Sequence, residues 1–355
     1  MIRRLRCTLV LLAALFAGPA LAEAKPDISK LRAGPIKIDA ARIVTFNRMG
    51  GTETRFGKLD FIGGLVLTAP DAPNFGGWSG FVMDDDAKRF VAVSDSGVWL
   101  TGAIDYVDGA PSEITGARLG PLLALDGRPL KRGRDRDAEG VALASGVIDN
   151  GSLNVAFEQN ARIARYDVTP AGLSASRSFL EKPNALKKVR RNAGLEAMTV
   201  MRGGPYKGET VAMAERYYDA SRNHTGWIWS KSGAEPFHLT NIGDFDVTDV
   251  ASLDDGTLFV LERRFRWLEG VKMRIRRLDP SELAPGKTAE GEILIEADLE
   301  MQIDNMEGLA ATRTQSGRVL LTLISDDNFN SYLQRTLLLQ FALPAAITVK
   351  AQPAE

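Results

Sequence analysis

The stretch Asp135-Arg136-Asp137-Ala138-Glu139-Gly140-Val141-Ala142 decides the fold, because weaker copies of it return along the chain. Each copy places a polar or acidic residue and a small residue before an apolar run. The copies are Gly77-Trp78-Ser79-Gly80-Phe81, Asn192-Ala193-Gly194-Leu195-Glu196-Ala197-Met198, Asp246-Val247-Thr248-Asp249-Val250-Ala251 and Asn305-Met306-Glu307-Gly308-Leu309-Ala310. When Ser79, Glu139, Glu196, Asp249 and Glu307 are aligned as equivalent, the repeats lie 53 to 60 residues apart. A repeat of this length predicts an array of similar structural units.

Each repeat continues as two short apolar strands joined by a polar turn, and the second strand ends on a carboxylate. These carboxylates are Asp95, Glu158, Glu215, Glu262 and Asp326. Further short strands follow each pair, separated by Gly, Asp, Asn and Pro turns, and stretches that favour helix are scarce. Units of four short strands are typical of a β-propeller, in which each unit forms one blade.

We therefore predict an all-β protein with four-stranded antiparallel blades, forming a single propeller domain over residues 36–348. Five repeats are legible in the sequence. The strands that precede Gly77 either complete the last blade or form a blade of their own. The ring then has five or six blades, and we favour six.

The first 22 residues have the pattern of a secretory signal peptide. Arginines precede an apolar run from Thr8 to Ala17, and Ala20-Leu21-Ala22 provides a small-x-small cleavage site. We expect cleavage near Ala22, a periplasmic or secreted protein, and a linker over residues 23–35. The pair Arg3-Arg4 is also compatible with twin-arginine export, so the export route stays open.

The composition narrows the classes of function. The sequence has 44 basic and 45 acidic residues, which gives no electrostatic footprint for nucleic acid. The single cysteine, Cys7, precedes the expected cleavage site, so no thiol remains for disulfides, thiolate zinc sites or cysteine catalysis. No second apolar segment reaches membrane-spanning length, and the basic run at 187–191 is interpreted as a solvated loop. We expect a monomer whose partner is a small molecule, an ion or another protein.

The repeat also places its carboxylates where they converge. In an antiparallel hairpin the start of the first strand and the end of the second strand lie side by side. The first strand of each blade lines the central channel of a propeller, so the repeated acids should ring one mouth of that channel. They are Asp137, Glu139, Glu196, Asp249 and Glu307 on the first strands, and Asp95, Glu158, Glu215, Glu262 and Asp326 on the second strands.

Carboxylates this close repel one another unless they are protonated, paired with arginine or bound to a cation. Calcium is the favoured cation, because it accepts about six to eight oxygen ligands in flexible geometry. The run Asp135-x-Asp137-x-Glu139-Gly140 opens like an EF-hand loop, but Gly146 stands at its twelfth position, which excludes an EF-hand. The alternative is that individual carboxylates only accept backbone hydrogen bonds between blades. Arginines that stand close to these acids in the sequence are Arg136, Arg162, Arg216, Arg263 and Arg264.

These motifs resemble the phytase-like family, described as esterase-like activity of phytase, a group of exported bacterial β-propeller proteins. The resemblance covers roughly residues 36–345. The sequence departs from the family pattern at Ser79, which is not acidic, and at Asp249, which replaces Glu. The segments that carry the resemblance are Asp137-Ala138-Glu139-Gly140, Gly194-Leu195-Glu196-Ala197, Asn305-Met306-Glu307-Gly308-Leu309-Ala310 and Leu323-Ile324-Ser325-Asp326-Asp327-Asn328-Phe329.

The resemblance implies a metal-assisted hydrolase of a phosphorylated or ester small molecule, with calcium held at the mouth. Glu196 and Glu307 would be metal ligands or water-activating bases. Two alternatives stay open: a propeller that binds a ligand or a protein at the same mouth without catalysis, and a lactonase-like calcium-dependent hydrolase. The residues implied as substrate-binding are Arg162, Arg216 and Arg263, and those implied as metal ligands are Asp95, Asp137, Glu139, Glu158, Glu215, Asp249, Glu262 and Asp326.

Other side chains are predicted to be structural. The only two histidines, His224 and His238, are too few for histidine-based phosphatase chemistry. Trp227, Trp229 and Trp267 are expected to pack between blades. The sequence has no G-x-S-x-G motif, which argues against an α/β-hydrolase esterase.

Overall fold

The protein folds as a β-propeller with five blades. The structure is a computed structural model that describes residues 25–131, 133–181, 194–230 and 233–344. Its strands form five sheets in a ring, antiparallel apart from one short parallel pair. The prediction of a propeller with antiparallel blades is confirmed, and five blades is the correct one of the two counts, whereas the preferred count of six is wrong. The expected signal peptide and the basic run at 187–191 lie outside the described residues.

The blades follow one another along the chain. Blade 1 contains β5 (Trp78–Met83), β6 (Arg89–Ser94), β7 (Val98–Val107) and β8 (Ala110–Pro121), with β1 (Gly34–Pro35) paired to β8. Blade 2 follows a short helix, α1 (Gly133–Arg136), and contains β9 (Ala138–Val147), β10 (Asn150–Phe157), β11 (Arg162–Thr169), β12 (Gly172–Leu173) and β13 (Ser178–Phe179). Blade 3 contains β14 (Leu195–Val200), β15 (Thr210–Tyr218), β16 (His224–Ser230), β17 (Gly233–Leu239) and β21 (Thr288–Ala289).

The ring closes in blade 5, which combines strands from both ends of the chain. Strand β4 (Leu59–Thr68) pairs antiparallel with strand β25 (Thr336–Leu343). The register runs from Thr336 opposite Leu67 to Ala342 opposite Asp60. The strands that precede Gly77 therefore complete the last blade and do not form a sixth. Blade 4 contains β18 (Asp246–Ser252), β19 (Leu258–Arg266), β20 (Gly270–Leu278) and β22 (Glu292–Ala297); blade 5 contains β23 (Asn305–Arg313), β24 (Val319–Asp326), β25 (Thr336–Leu343), β4 (Leu59–Thr68), β2 (Asp39–Ile43) and β3 (Arg55–Phe56).

The core is divided among the interfaces between neighbouring blades. Five clusters of buried apolar side chains are present in the described residues, one for each pair of adjacent blades. Between blades 4 and 5, Phe46 contacts the rings of Phe56, Phe61 and Phe341 at centroid distances of 4.9, 5.2 and 5.1 Å. Burial of apolar area in every interface holds the ring together without disulfides. Trp227 and Trp229 are buried as predicted, whereas Trp267 is 81% exposed in a hairpin turn, so its predicted packing between blades is wrong.

The first strand of every blade, called here the inner strand, carries a β-bulge near its start. The extra residue interrupts the register between Trp78 and Gly80 in blade 1, and at the equivalent place in the other blades. A bulge inserts one residue without a partner and turns its side chain away from the regular alternation. The bulge residues are Ser79, Glu139, Glu196, Thr248 and Glu307.

Candidate functional site

The bulge of each inner strand lies beside the end of the second strand of the same blade. Backbone hydrogen bonds fix this arrangement, from the N–H of Asp95 to Gly77 O at 3.1 Å and from the N–H of Glu158 to Asp137 O at 2.9 Å. In blade 5 the ladder places Asn305 opposite Asp326. The hairpins thus deliver residues from both strands to one end of the channel, as the spacing of the repeat predicts.

The register changes the assignment in blade 4. Asp246 lies opposite Arg263, and Val247 lies opposite Glu262. The residue that matches Asp95, Glu158, Glu215 and Asp326 is therefore Arg263, and the residue at the bulge is Thr248. The alignment of the repeats from sequence is therefore displaced by one residue at Asp249 and at Glu262. In both segments two polar residues stand side by side, and the alignment took the carboxylate of each pair.

Two arginines hold the side chain of Glu262 away from the end of the channel. Its side chain is fully buried and accepts a hydrogen bond from Arg276 Nε at 2.8 Å, with Arg274 Nη1 at 3.6 Å. A buried carboxylate needs such partners to offset the loss of hydration. The structure therefore does not bring Glu262 together with the other predicted metal ligands.

Carboxylates from four blades do converge at this end of the channel, and we call this group the acidic mouth. Asp137, Glu139 and Glu158 place one ligand oxygen each within 4.8 Å of one another, and so do Glu158, Glu196 and Glu215. Glu158 belongs to both triads. The acidic mouth consists of Asp95, Asp137, Glu139, Glu158, Glu196, Glu215, Glu307 and Asp326.

The carboxylates of the acidic mouth influence one another strongly. Burial, together with Asp137 and Glu215, raises the pKa of Glu158 to about 7. Burial also raises the pKa of Glu215 to about 7 and that of Asp95 to about 6. The free energy of this mouth is therefore high when every carboxyl group is ionised, and a proton or a cation lowers it.

Burial raises the pKa of further members of the mouth well above the ordinary range. For Glu139 the charges of Asp137 and Asp95 add to the effect of burial on the pKa, and for Glu196 those of Glu139 and Glu215 do so. Burial and the charge of Glu307 do the same for Asp326. Carboxylates on different blades raise one another's pKa, so the protonation of one member of the mouth depends on the charge of the others.

Two cationic side chains enter the mouth. Lys25 Nζ lies 2.6 Å from Asp137 Oδ1 and 3.1 Å from Asp95 Oδ2. Arg263 Nη1 donates to Glu307 Oε1 at 2.9 Å, and its Nη2 lies 3.7 Å from Glu215. In the triad of Glu158, Glu196 and Glu215, the ion pairs with arginine are made by Glu215, with Arg263 and with Arg216 at the rim.

The other arginines proposed from the sequence lie in different places. Arg216 is half exposed at the rim, where Nη2 lies 3.0 Å from both Glu215 Oε1 and Asp246 Oδ2. Arg162 stacks over the ring of Phe157 at 3.7 Å and donates to the carbonyl of Asp135. Its guanidinium therefore serves the edge of blade 2 and contacts no carboxylate of the mouth among the described residues.

Asp249 lies deeper, on the axis of the channel. Its exposure is 1%, and its carboxylate accepts hydrogen bonds from the N–H of Leu309 in blade 5 at 2.7 Å and from its own neighbour Val250 at 2.8 Å. Burial raises the pKa of Asp249 well above its usual value, while backbone N–H groups of four inner strands oppose that rise. The side chain therefore joins inner strands of different blades, as the alternative of interblade hydrogen bonds anticipates.

Small residues surround Asp249 at the same level of the ring. The positions that follow the bulges are Gly80, Gly140, Ala197, Asp249 and Gly308. A Cβ on Gly140 would lie 2.9 Å from Glu196 O, and one on Gly80 would lie 2.8 Å from Glu139 O. The inner strands thus approach backbone to backbone here, and one aspartate fills the axis.

The opposite end of the channel holds a separate cavity of about 500 Å³. Apolar side chains of the inner strands, including Val82, Leu143 and Val200, line its wall, and Arg202 and Lys207 lie at its rim. None of the carboxylates of the acidic mouth lines it.

The acidic mouth has donor groups that fit a hard cation. Asp137 is 2% exposed, and its Oδ2 has no hydrogen-bond partner among the described residues. A buried carboxylate oxygen without a donor is costly in free energy, and a cation would satisfy it. The donor set is entirely oxygen, which suits calcium better than zinc or copper.

Lys25 is the member of the site that the sequence did not reveal. It stands in the segment interpreted as a linker, where no repeat or periodicity marks it. The structure packs this segment against blade 1, with Ile28 fully buried. In the sequence, an isoleucine three residues after the lysine is the signal that this segment packs against the propeller.

Comparison with known proteins identifies the family. No curated protein matches the sequence. The chain is similar in structure to the catalytic domain of Coprinopsis cinerea GH62 α-L-arabinofuranosidase, with a TM-score of 0.48 and 14% identity, covering 81% of this chain and 97% of that chain. It is also similar to a chain of the nidogen/laminin complex, with a TM-score of 0.39 and 12% identity, covering 84% and 90% of the two chains.

Virginiamycin B lyase from Staphylococcus aureus is a further similar structure, with a TM-score of 0.34 and 13% identity, covering 70% of this chain and 80% of that chain. Similarities at these scores carry no argument about function. Within the part of the chain that the structure describes, no helix is long and apolar enough to cross a membrane.

A family model settles the relationship that the repeats suggest. The model described as phytase-like, esterase-like activity of phytase, matches residues 73–329, from the approach to the first bulge to the segment after Asp326. This range includes every carboxylate of the acidic mouth. The chain therefore belongs to the phytase-like family.

Proposed function

We propose that the protein is a metal-assisted hydrolase of a phosphorylated or ester small molecule, with the acidic mouth as its site. The proposal rests on the convergence of buried carboxylates from four blades. One of these carboxylates, that of Asp137, has an oxygen without a hydrogen-bond donor among the described residues. Membership of the phytase-like family supports hydrolysis as the type of reaction. The predicted export to the periplasm or the medium remains part of the proposal.

Calcium is the proposed cation, held by carboxylates of the mouth. The candidate ligands for calcium are Asp95, Asp137, Glu139, Glu158, Glu196, Glu215 and Asp326. When bound, the cation would polarise a phosphoryl or carbonyl oxygen and lower the pKa of a bound water. Asp249 and Glu262 are left out of the set, because backbone N–H groups hold the first and two arginines hold the second.

The contacts distinguish the two glutamates that the sequence left equivalent. Glu307 accepts hydrogen bonds from Arg263 at 2.9 Å and from Asn305 Nδ2 at 2.8 Å, so its oxygens are already directed. The charged groups with the largest effect on the pKa of Glu196 are the carboxylates of Glu139 and Glu215, which raise this pKa in addition to burial. We therefore assign Glu196 as a cation ligand whose other carboxylate oxygen accepts a proton from the attacking water, and Glu307 as the residue that positions Arg263.

Arg263 and Arg216 would hold the anionic part of the substrate. Both lie at the mouth beside Glu215, at 3.7 and 3.0 Å respectively. Arginine donates in a planar fork that matches phosphate and carboxylate oxygens. Arg162 is not assigned this role, because its guanidinium stacks on Phe157 away from the mouth.

The test combines calcium binding with hydrolysis. Calcium should raise the melting temperature, because a ligand that binds only the folded state stabilises it by mass action. The purified protein should hydrolyse p-nitrophenyl phosphate, p-nitrophenyl acetate or phytate, and a chelator should abolish the hydrolysis. Absence of both the calcium shift and the hydrolysis would contradict the proposal, whereas a calcium shift without hydrolysis would favour a binding propeller.

Substitution of Glu196 gives a matched test at the site. Glu196→Gln removes the proton acceptor with little change in shape, so kcat should fall by about 10²-fold or more, the usual range for a general base. The far-ultraviolet circular dichroism should stay unchanged. The control is Asp105→Asn, an exposed acid on blade 1 outside the mouth, which should keep full activity. Equal activity in Glu196→Gln and the control would exclude the assigned role.

A further inference from the structure

The two carboxylate triads of the acidic mouth offer two cation positions that overlap. Asp137, Glu139 and Glu158 form the first position, and Glu158, Glu196 and Glu215 form the second. Glu158 is shared, so both positions filled together would place two cations on one carboxylate. A single cation on either triad would leave the other with unbalanced negative charge.

Lys25 contacts only the first of these positions. Its Nζ lies 2.6 Å from Asp137 Oδ1 and 3.1 Å from Asp95 Oδ2, and it also donates to the carbonyl oxygen of Asp95 at 3.1 Å. The ammonium group thus sits where a divalent cation on the first triad would need Asp137. The two carboxylates thus partner the ammonium group, the form in which lysine ordinarily exists at neutral pH.

The chain holds Lys25 in this place through an anchor close by. Ile28 is fully buried in the apolar cluster between blades 5 and 1. The carbonyl of Ile28 accepts a hydrogen bond from the N–H of Leu31 at 3.1 Å, which closes a turn directly after the anchor. A group tethered over so few residues has an effective concentration in the millimolar range. The ammonium group is thus held at Asp95 and Asp137 by the chain itself, whereas a free cation must reach these carboxylates from solution.

We propose that Lys25 permanently fills the first cation position, so that the protein binds one divalent cation, at Glu158, Glu196 and Glu215. The carboxylates alone would take two. This inference rests on the proposed function, since it concerns the cation of the same site. It assigns to the segment at 25–31 the role of setting how many divalent ions the mouth accepts.

Calcium titration by calorimetry at neutral pH tests the stoichiometry. The protein should be expressed from the full sequence with a C-terminal tag, so that nothing foreign precedes Lys25, and freed of metal with a chelator. The wild type should bind one Ca²⁺. Lys25→Met keeps the length of the side chain and removes the charge, so it should bind two. Lys25→Arg keeps the charge and should bind one.

The outcomes separate this inference from the proposed function. One Ca²⁺ in both the wild type and Lys25→Met would overturn the role of Lys25 and leave the proposed function intact, and so would two Ca²⁺ in the wild type. No Ca²⁺ binding in any of the three proteins would overturn the proposed function as well. If Lys25→Met does not fold without metal, Lys25→Gln and refolding in the presence of Ca²⁺ provide the same count.

Discussion

At the scale of single residues, Asp249 shows how one side chain can serve several blades. The inner strand is the edge strand of each sheet, so its N–H groups that point toward the axis have no partner in a ladder. Buried N–H groups without an acceptor are rare in folded proteins. Asp249 supplies the acceptor for Leu309 and Val250. We interpret it as a structural carboxylate and not as a metal ligand.

Removal of this carboxylate should destabilise the ring. Asp249→Ala should lower the free energy of unfolding by about 1–3 kcal/mol for each N–H left without an acceptor, measured by urea denaturation. Added formate should restore part of the loss, because a small carboxylate can occupy the vacated place. The control Asp105→Ala should change the stability little. A stability of Asp249→Ala equal to that of the control would refute this role.

Single residues also show which parts of the acidic mouth could not be inferred from the sequence. Most acids of the mouth could be found because they recur at the same position of a repeat. Blade 4 could not be aligned correctly, because Thr248 and Arg263 share neither charge nor shape with Glu139 and Glu158. Lys25 could not be found, because its contact with Asp137 joins segments far apart in the chain.

At the scale of elements, the bulge of the inner strand is what directs carboxylates to the mouth. Without the extra residue, strict alternation along the strand would point the side chain at that position differently. The residue after the bulge is small in every blade except blade 4, where it is Asp249, because neighbouring inner strands touch there. The chain satisfies this with glycine in blades 1, 2 and 5 and with alanine in blade 3.

A methyl group at this position should therefore lower the stability of the protein by more than its small volume suggests. Gly140→Ala places a Cβ 2.9 Å from Glu196 O, a backbone atom that cannot move without shifting blade 3. Overpacking of this kind costs about 1–3 kcal/mol. Gly133→Ala is the control, because nothing lies within 4 Å of its Cβ. Thermal unfolding of the two variants should show a clear loss only for Gly140→Ala, and equal melting temperatures would disprove the close approach.

The sequence predicted the strands of each blade but not their number in the ring. Repeats reveal strands that succeed one another, because each copy is legible by itself. The pairing of β4 with β25 joins residues such as Leu67 and Thr336, and no local pattern reports a partner at that separation. The preference for six blades followed from treating the N-terminal strands as a unit of their own.

At the scale of the whole molecule, the acidic mouth should make stability depend on pH in an unusual direction. Folding raises the pKa of Glu158 and Glu215 to about 7 and that of Asp95 to about 6. Unfolded Asp and Glu titrate near pH 4, at about 3.9 and 4.3. Between these values the folded protein holds more protons than the unfolded chain. The metal-free protein should therefore lose stability as the pH rises from about 4.5 to about 7.

Melting temperatures at pH 5, 6, 7 and 8 measure this dependence. In the presence of a chelator the melting temperature should fall across the series. With millimolar calcium the fall should be smaller, because the cation replaces the protons that leave the mouth. A melting temperature that rises from pH 5 to pH 8 with the chelator present would show that the mouth does not hold these protons.

The closing blade has a consequence for how the chain reaches its folded state. Strand β4 pairs with β25, whose residues Thr336–Leu343 leave the ribosome after all the other described strands. Until then the N-terminal strands have no partner on that edge, and the ring stays open. Contacts between distant parts of a chain form slowly, so the last step of folding is a search by one end of the molecule for the other. The ring can therefore close only after all the other described strands have been synthesised.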